Sequence, residues 1–166
     1  PWCNNFLKKE EIGQEPFYPL RVLFCRNCST TQLDYTVKKE IMFGDHTYLS
    51  GVTKSLSSHF EKIAIEADNK FCFNKKDKTI LDIGSNDGTQ LSHFKKLGYN
   101  VIGVESSKTT AEIANKAGIN TINEFFNNEF IIKHQLESKI DLINAAGVFF
   151  HLEELHSVTD GIKAAL

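Results

Sequence analysis

Hydrophobic and polar residues follow a repeated strand, turn and helix pattern from Thr79 onward. "TILDIG" predicts a buried strand, and "TQLSHFKKLG" predicts a helix because Leu91, Phe94 and Leu97 share one helical face. Gly98 follows two lysines, which is typical of a helix end. Further strands are predicted at 100–106, 119–123 and 139–149, and further helices at 107–118, 125–138 and from about 152. The alternation predicts an α/β fold with a Rossmann-like, doubly wound parallel sheet and right-handed crossovers.

The pattern before Thr79 is different and predicts a small irregular module. "EPFYPL" holds two of the three prolines, and "RVLFC" predicts a short strand that leads into "CRNC". In "TKSLSSHFEKIAIEAD", apolar residues at helical spacing predict a connecting helix that Thr53 or Ser55 could cap. We therefore divide the chain into a module at 1–52, a connector at 53–76 and an α/β domain at 77–166.

Composition limits the partners. The chain has 166 residues, of which 41% are hydrophobic and 24% charged, and a net charge of -2. Such a chain is an ordinary globular protein with no electrostatic preference for nucleic acid or anionic membranes. Its apolar runs fall short of a bilayer span and no signal peptide is visible, so we expect a cytoplasmic protein. The sequence begins at Pro1 without an initiator methionine and stops within a helical pattern, so we expect part of a longer protein.

The turn in "LDIGSNDGTQL" is the most informative stretch for function. In parallel α/β sheets, ligands bind beyond the carboxyl ends of the strands, where glycines such as Gly84 and Gly88 permit close backbone approach. The dinucleotide fingerprint would require glycine at positions occupied by Asn86 and Thr89. A polar, acidic turn suits the cationic groups of S-adenosylmethionine better than a pyrophosphate. A tight turn without a ligand is the structural alternative.

Glu105 ends the second predicted strand, "NVIGVE". An acid at that place is positioned to accept hydrogen bonds from both hydroxyls of a ribose. The alternative is a solvated strand end without a ligand.

Four stretches, "LDIGSNDGTQL", "VIGVESS", "AGINTINEFF" and "DLINAAGVFFHLEEL", resemble the class I S-adenosylmethionine-dependent methyltransferases. More narrowly, the chain resembles sugar C-methyltransferases that act on nucleotide-linked 4-keto-deoxyhexoses and carry an N-terminal zinc-binding module. The resemblance implies that the methionine end of the cofactor pocket is formed by Asp82, Gly84, Asn86 and Gly88. It implies that Glu105 holds the ribose and that Ser106, Asn123 and Glu124 lie near the adenine. Ser106 departs from the family, which usually has proline there, so the loop is expected to be less rigid.

The resemblance also implies a zinc site. In a cytosolic protein a CxxC pair is typical of metal-binding or redox sites, and structural zinc takes four ligands. Cys25 and Cys28 would form half a site, with the family's other pair lying upstream. Cys3 is a weaker candidate ligand, Cys72 is expected to be a buried thiol, and two unremarkable turn thiols are the alternative for the pair.

Tyr48 and His151 are the candidate catalytic residues that the resemblance implies. Tyr48 would close over the active site, and its alternative role is packing between domains. His151 would line the pocket near the transferred methyl group, and its alternative is a backbone contact in the first turn of a helix. The other histidines have no motif and are expected to be surface or satisfied side chains, and the Glu153–Glu154 pair is expected to favour a helix dipole rather than act as a dyad.

The expected reaction is attack of a carbanion, formed beside a sugar carbonyl, on the cofactor's methyl group. A general base removes the proton and hydrogen-bond donors stabilise the enolate; the resemblance implies a base beyond this segment. The alternatives are a methyltransferase for another small molecule, a nicotinamide-dependent oxidoreductase and a non-catalytic binding module.

Overall fold

The computed structural model describes residues 7–44, 46, 48–71 and 77–166. Cys3 and Cys72 lie outside these residues, so the predictions made for them stay predictions. Within the described part, no helix is both long enough and apolar enough to cross a membrane.

The N-terminal part contains an antiparallel hairpin and a short helix. Strand β1 (Val22–Phe24) pairs with β2 (Thr31–Leu33), and helix α1 (Lys39–Phe43) follows. The sequence pattern predicted β1 but neither β2 nor α1. Every residue of both strands is exposed, so no hydrophobic alternation marks β2 in the sequence.

The connecting helix α2 spans Lys54–Phe71 and is somewhat longer than the prediction from its apolar positions. Phe60 and Ala64 are its buried residues. Ala64 packs with Leu91 and Phe94, and side-chain hydrogen bonds between Ser57 and His93 and from Tyr99 to Asp68 also attach α2 to the α/β domain.

A four-stranded parallel sheet forms the centre of the α/β domain, which confirms the predicted fold class. Its strands are β3 (Thr79–Ile83), β4 (Asn100–Val104), β5 (Thr121–Ile122) and β6 (Leu142–Asn144), in the order β5-β4-β3-β6. The helices are α3 (Thr89–Lys96), α4 (Lys108–Lys116), α5 (Asn128–Lys133) and α6 (Leu155–Ala165). Because the chain proceeds outward from β3 to β5 and then returns to the other side of β3, the order reverses at β3. Ligand sites of such sheets lie at this reversal.

Apolar residues of β3 alternate between two cores, one on each face of the sheet. Ile80 packs with Leu91 and Phe94, whereas Leu81 and Ile83 pack in the other core. The second core is completed by Val104 and by residues of α5 and α6: Phe130, Ile131, Val158 and Ala165. Burial on both faces fixes the register of β3, because a one-residue slip would exchange the two cores.

Side-chain caps fix the starts of two crossover helices. Ser107 accepts the amide of Thr110 at the start of α4, and Asn127 accepts that of Phe130 at the start of α5. Gly98 and Gly118 follow α3 and α4 with left-handed φ values of 98° and 80°, as expected for helix-terminating glycines.

The chain between β6 and α6 differs from the prediction. Strand β6 ends at Asn144, five residues before the predicted end, and α6 begins three residues later than expected. A turn with Gly147 at φ 72° and a 3-10 turn over Phe149–His151 fill the interval. The apolar run "AAGVFF" favoured a strand in the sequence, but β6 has a hydrogen-bonded register with β3 only over 142–144.

Gly161 allows α6 to pack closely against the start of α5. A Cβ there would lie 3.0 Å from the backbone carbon and oxygen of Asn127, which cannot yield as a flexible side chain would. Alanine normally stabilises a helix by about 1 kcal/mol relative to glycine, but overpacking costs about 1–3 kcal/mol. We therefore predict that Gly161→Ala lowers the free energy of unfolding, measured by urea denaturation. Asp160→Ala, at the exposed neighbour, should be neutral or slightly stabilising, and equal effects of the two changes would contradict this packing.

Candidate functional site

A cavity of about 470 Å³ opens at the carboxyl ends of β3 and β4, where the strand order reverses. The strand ends contribute Ile83, Gly84, Asn86, Val104, Glu105 and Ser106 to its wall. The turn and helix after β6 contribute Ala146, Gly147, Val148, His151, Leu152, Glu153, Glu154 and Val158. The segment before α2 contributes Lys39, Met42, Phe43, His46, Tyr48 and Ser50, and the loop after β5 contributes Glu124, Phe125 and Phe126. Its volume is within the range of small-molecule sites.

The turn between β3 and α3 has left-handed backbone at three alternate positions. The φ values are 69° at Gly84, 53° at Asn86 and 76° at Gly88. A Cβ at Gly84 would meet Val148 at 3.0–3.3 Å, and one at Gly88 would meet Ile119 at 3.0 Å. The two glycines are therefore required by both backbone conformation and space.

The amides of this turn are occupied within the protein. Those of Gly84 and Ser85 donate to the Val104 carbonyl, and that of Gly88 donates to the Ser85 carbonyl. The Asn86 amide donates to Glu105, and the Thr89 amide donates to Asp87. Phosphate-binding turns instead direct such amides at the ligand.

The Glu105 side chain connects two loops at the cavity. Its Oε2 accepts the Asn86 amide and its Oε1 accepts the Ser107 amide, each at 2.8 Å. Only 3% of Glu105 is exposed, yet the residue lines the cavity. A carboxylate has about four lone-pair sites, so these two bonds leave capacity for ligand hydroxyls.

Asp82 lies behind this site with 3% of its surface exposed. Burial raises its pKa to about 7, and the Glu105 carboxylate adds to the rise, whereas the hydrogen bond from the Asn144 amide opposes it. Asp82 is paired with Asn144 across the register of β3 and β6. Asp82 is therefore buried beside the cavity but does not line it.

The segment before α2 is bonded to both loops of the cavity. Asn86 accepts the Ser50 amide at 2.9 Å and donates its side-chain amide to the Tyr48 carbonyl at 3.0 Å. The Ser106 hydroxyl donates to the Phe43 carbonyl at 2.9 Å. Ser106, where the related family usually has proline, thus attaches its loop to the N-terminal segment.

A second connection lies at the cavity rim, where Lys39 donates to Glu154 at 2.6 Å and stands over the Phe125 ring. This ion pair lowers the pKa of Glu154. Glu154 is the N-cap residue of α6, so the Glu153–Glu154 pair precedes the helix as expected.

The cavity wall includes most of the sequence-predicted site residues. Those that line it are Tyr48, Gly84, Asn86, Glu105, Ser106, Glu124 and His151, and those that do not are Asp82, Gly88 and Asn123. Gly88 is the N-cap residue of α3. Asn123 donates its side-chain amide to the carbonyls of Glu105 and Ser106, at 2.8 and 2.9 Å, and so supports the loop from outside the cavity.

Three charged or aromatic groups of the wall have defined surroundings. The Glu124 carboxylate is hydrogen-bonded to Lys133 at 2.8 Å and to His134 at 3.0 Å. The bond to Lys133 is the main cause of the lowered pKa of Glu124, whereas burial acts to raise that pKa. His151 lies against the rings of Phe43 and Phe150. Tyr48 is half exposed at the edge.

His46 is a cavity residue that the sequence did not indicate. Its Nε2 lies 3.6 Å from Oε1 of Glu105, and its side chain is 26% exposed. No motif surrounds His46 in the sequence, and its approach to Glu105 depends on how the N-terminal segment folds over the α/β domain.

Cys25 and Cys28 lie in the turn that joins β1 to β2. The turn is closed by the Cys25 amide, which donates to the Thr30 carbonyl, and by the Ser29 amide, which donates to the Cys25 carbonyl. A hydrogen bond with the Thr30 side chain lowers the pKa of the Cys28 thiol, which favours the thiolate form that binds metals. Among the described residues, no group of three or more potential ligands is assembled for a metal ion. The two thiols fit half of a four-ligand site.

Comparison with known proteins gives two family matches. Residues 58–166 match the family described as "Methyltransferase domain". The chain belongs to this methyltransferase family. Residues 1–43 match the family described as "Putative zinc binding domain".

One curated relative is the C-methyltransferase NovU of Streptomyces niveus, which is 28% identical over 171 residues. The match covers 100% of this chain and 40% of that protein, so the chain spans less than half of its relative.

The solved structures confirm the fold. The plantazolicin methyltransferase BpumL, solved with a pentazolic desmethylPZN analogue and SAH, has a TM-score of 0.51 and 22% identity over 68% of this chain and 43% of its own. YcgJ from Bacillus subtilis has a TM-score of 0.51 and 16% identity, and the match covers 66% of this chain and 46% of YcgJ. An Archaeoglobus fulgidus SAM-dependent methyltransferase has a TM-score of 0.50 and 17% identity, and the match covers 64% of this chain and 48% of that protein.

The raised pKa of Asp82 predicts a dependence of stability on pH. The folded state keeps this carboxyl protonated up to about pH 7, whereas the unfolded chain releases the proton near pH 3.8. The folded state thus holds the extra proton, and its contribution to the free energy of unfolding falls as pH rises from about 4 to 7. Asp82→Asn keeps an acceptor for Asn144 but removes the titration. We predict that the variant gains stability relative to wild type between pH 4 and 8, by up to about 4 kcal/mol.

Urea denaturation across this pH range measures the difference. Asp160→Asn, at an exposed aspartate of α6, is the matched control and should follow wild type. Parallel curves for Asp82→Asn and wild type would show that Asp82 does not titrate in this window.

Proposed function

We propose that this chain is the cofactor-binding part of an S-adenosylmethionine-dependent methyltransferase. The observation that carries the proposal is the cavity at the strand-order reversal with the nearly buried carboxylate of Glu105 in its wall. Membership of the methyltransferase family supports the reaction class.

The hydrogen bonds of the turn favour a nucleoside without phosphate. The Gly84, Asn86 and Gly88 amides already have acceptors inside the protein. A dinucleotide would have to displace these bonds to place its pyrophosphate there, because phosphates are bound through such amides. A nicotinamide-dependent oxidoreductase is therefore the weaker candidate.

The charges of the wall favour a cationic ligand. Its described residues include the carboxylates of Glu105, Glu124, Glu153 and Glu154. Lys39, the one lysine among them, is paired with Glu154, and Glu124 is paired with Lys133 outside the wall. An acidic wall attracts the sulfonium and ammonium groups of S-adenosylmethionine.

The residues of the cavity fit the parts of this cofactor. Glu105 retains lone pairs for the ribose hydroxyls. We assign the methionine end to the turn of Asp82, Gly84, Asn86 and Gly88, with Asp82 and Gly88 acting from behind the wall. We assign the adenine side to Ser106, Asn123 and Glu124, where Asn123 holds the loop.

We further propose that the substrate is a small molecule methylated at carbon, with a nucleotide-linked keto-deoxysugar as the specific candidate. NovU, which resembles the whole length of this chain, is named as a C-methyltransferase. The sugar follows from the sequence resemblance, and a methyltransferase for another small molecule is the alternative. Tyr48 and His151 are proposed to orient the substrate and donate hydrogen bonds to its enolate. The bound cofactor would supply an electrophilic methyl group.

Zinc is the second proposed ligand, held at Cys25 and Cys28 together with ligands from elsewhere in the protein. The match of residues 1–43 to a zinc-binding family supports this assignment. A structural ion there would stabilise the hairpin, whose strand residues are all exposed.

Calorimetry with S-adenosylhomocysteine and with NAD tests the cofactor assignment. We predict binding of S-adenosylhomocysteine alone, and a loss of about 1–3 kcal/mol of binding free energy in Glu105→Ala, because ligand hydroxyls lose their acceptor. Glu112→Ala removes an exposed carboxylate from α4 and should bind like wild type. Glu105→Gln keeps one oxygen acceptor. Urea denaturation of this variant shows how much of the loss in binding free energy comes from destabilising the loops that Glu105 connects. NAD binding, or unchanged affinity in Glu105→Ala, would contradict the assignment.

Metal analysis of the full-length protein tests the zinc assignment. We predict that Cys28→Ser lowers the zinc content and the midpoint of thermal unfolding of the N-terminal module, because the site loses a thiolate ligand. Ser29→Ala, at the adjacent residue, should retain the metal. Equal zinc content in the two variants would exclude Cys28 as a ligand.

A further inference from the structure

His46 and Glu105 approach each other at the cavity wall from different parts of the chain. Glu105 directly follows β4, whereas His46 belongs to the segment between α1 and α2. The distance from Nε2 of His46 to Oε1 of Glu105 is 3.6 Å, which is too long for a hydrogen bond and would make an ion pair only with a protonated imidazole. Both residues line the cavity.

The backbone around each group keeps the two atoms side by side. The Ser107 amide donates to Oε1 of Glu105 at 2.8 Å. The Ser107 hydroxyl also lies 3.4 Å from the His46 amide and 3.5 Å from the His46 carbonyl oxygen. Ser107 is fully buried, so the contact is part of the folded interior rather than of the surface.

Two acceptors at this separation match the chemistry of a vicinal diol. An imidazole protonated on Nδ1 presents Nε2 as an acceptor, and an ionised carboxylate accepts through both oxygens. A diol could then donate one hydroxyl to Glu105 and the adjacent hydroxyl to His46.

We propose that His46 is a further cofactor-binding residue that accepts one ribose hydroxyl while Glu105 accepts the other, in place of an arrangement in which both hydroxyls donate to Glu105. The inference rests on the proposed function, since it assigns a second residue to the ribose of the same ligand. Tyr48, two residues after His46, lines the same cavity. The N-terminal segment therefore contributes to the cofactor site as well as covering it.

Protonation of His46 would oppose binding for two reasons. An imidazolium has no acceptor nitrogen, and it would form an ion pair with Oε1 of Glu105 in competition with the ligand. Affinity should therefore be highest where His46 is neutral and should fall as the pH decreases through its titration.

Several other ionisable groups face this place and must be separated from His46 by mutation. Glu105 and, behind it, Asp82 lie on the sheet side; Lys39 and Tyr48 lie on the N-terminal part of the chain; Glu124 follows β5; and His151, Glu153 and Glu154 follow β6. Asp82, with a pKa of about 7, is expected to contribute its own pH dependence. Only the part that disappears with the imidazole belongs to His46.

The experiment is calorimetry of S-adenosylhomocysteine with the full-length protein between pH 5.5 and 8.5, using His46→Ala, His46→Gln and the control His156→Ala. His156 is exposed on α6 and does not line the cavity. At pH 8 we expect about three- to tenfold weaker binding for His46→Ala and near wild-type binding for His46→Gln, whose amide oxygen can accept. Relative to wild type and His156→Ala, both variants should show a smaller decrease in affinity at low pH, and the pH dependence that remains belongs to groups other than His46.

The outcomes separate this inference from the proposed function. If wild type does not bind S-adenosylhomocysteine, the proposed function fails and the inference fails with it. If wild type binds and His46→Ala has the same affinity and pH profile, the proposed function stands and the role of His46 is refuted. If both variants weaken binding equally with an unchanged pH profile, His46 only supports the fold, which also overturns the proposal.

Discussion

The carboxylate of Glu105 accepts backbone amides from two different loops, and the geometry of the cavity depends on this pair of bonds. Asn86 donates from the turn after β3, and Ser107 donates from the start of α4. A carboxylate that is 3% exposed is stable only where hydrogen bonds replace its lost hydration. The same bonds place its remaining lone pairs at the cavity, so the interaction that stabilises the loops also prepares the ligand site.

This arrangement explains why the turn after β3 carries both glycines and an asparagine. Gly84 and Gly88 permit left-handed backbone where a Cβ would meet Val148 or Ile119. Asn86 connects three parts of the chain, because its amide reaches Glu105 and its side chain bonds Ser50 and Tyr48. The turn therefore serves as a junction between the sheet and the N-terminal segment, and its amides are directed into the protein instead of at a phosphate.

The sheet and the part of the cavity wall that lies at the strand ends were predictable from local patterns. Strand ends such as Ile83 and Val104 follow buried runs, and in a parallel sheet the residues after them meet at one edge. That rule brings Gly84 and Glu105 together without knowledge of distant contacts. Asp82 and Gly88 lie beside the cavity without lining it, because residues near a strand end can face neighbouring elements rather than the cavity.

The contributions from the N-terminal segment could not be predicted in the same way. His46 and Lys39 reach the site through long-range contacts with Glu105 and Glu154, and no periodic pattern records such contacts. The exposed strand β2 has no hydrophobic alternation, which is the signal that identifies a half-buried strand. The end of β6 was misjudged for the opposite reason, since the apolar run continues after the pairing with β3 stops.

A crystal structure of the full-length protein with S-adenosylhomocysteine tests the central claim most directly. The account predicts the nucleoside in the cavity at the ends of β3 and β4, with ribose hydroxyls at hydrogen-bond distance from Glu105 and with the Asn86 and Ser107 amides still bonded to that carboxylate. A nucleoside bound elsewhere, or a ribose out of reach of Glu105, would contradict it.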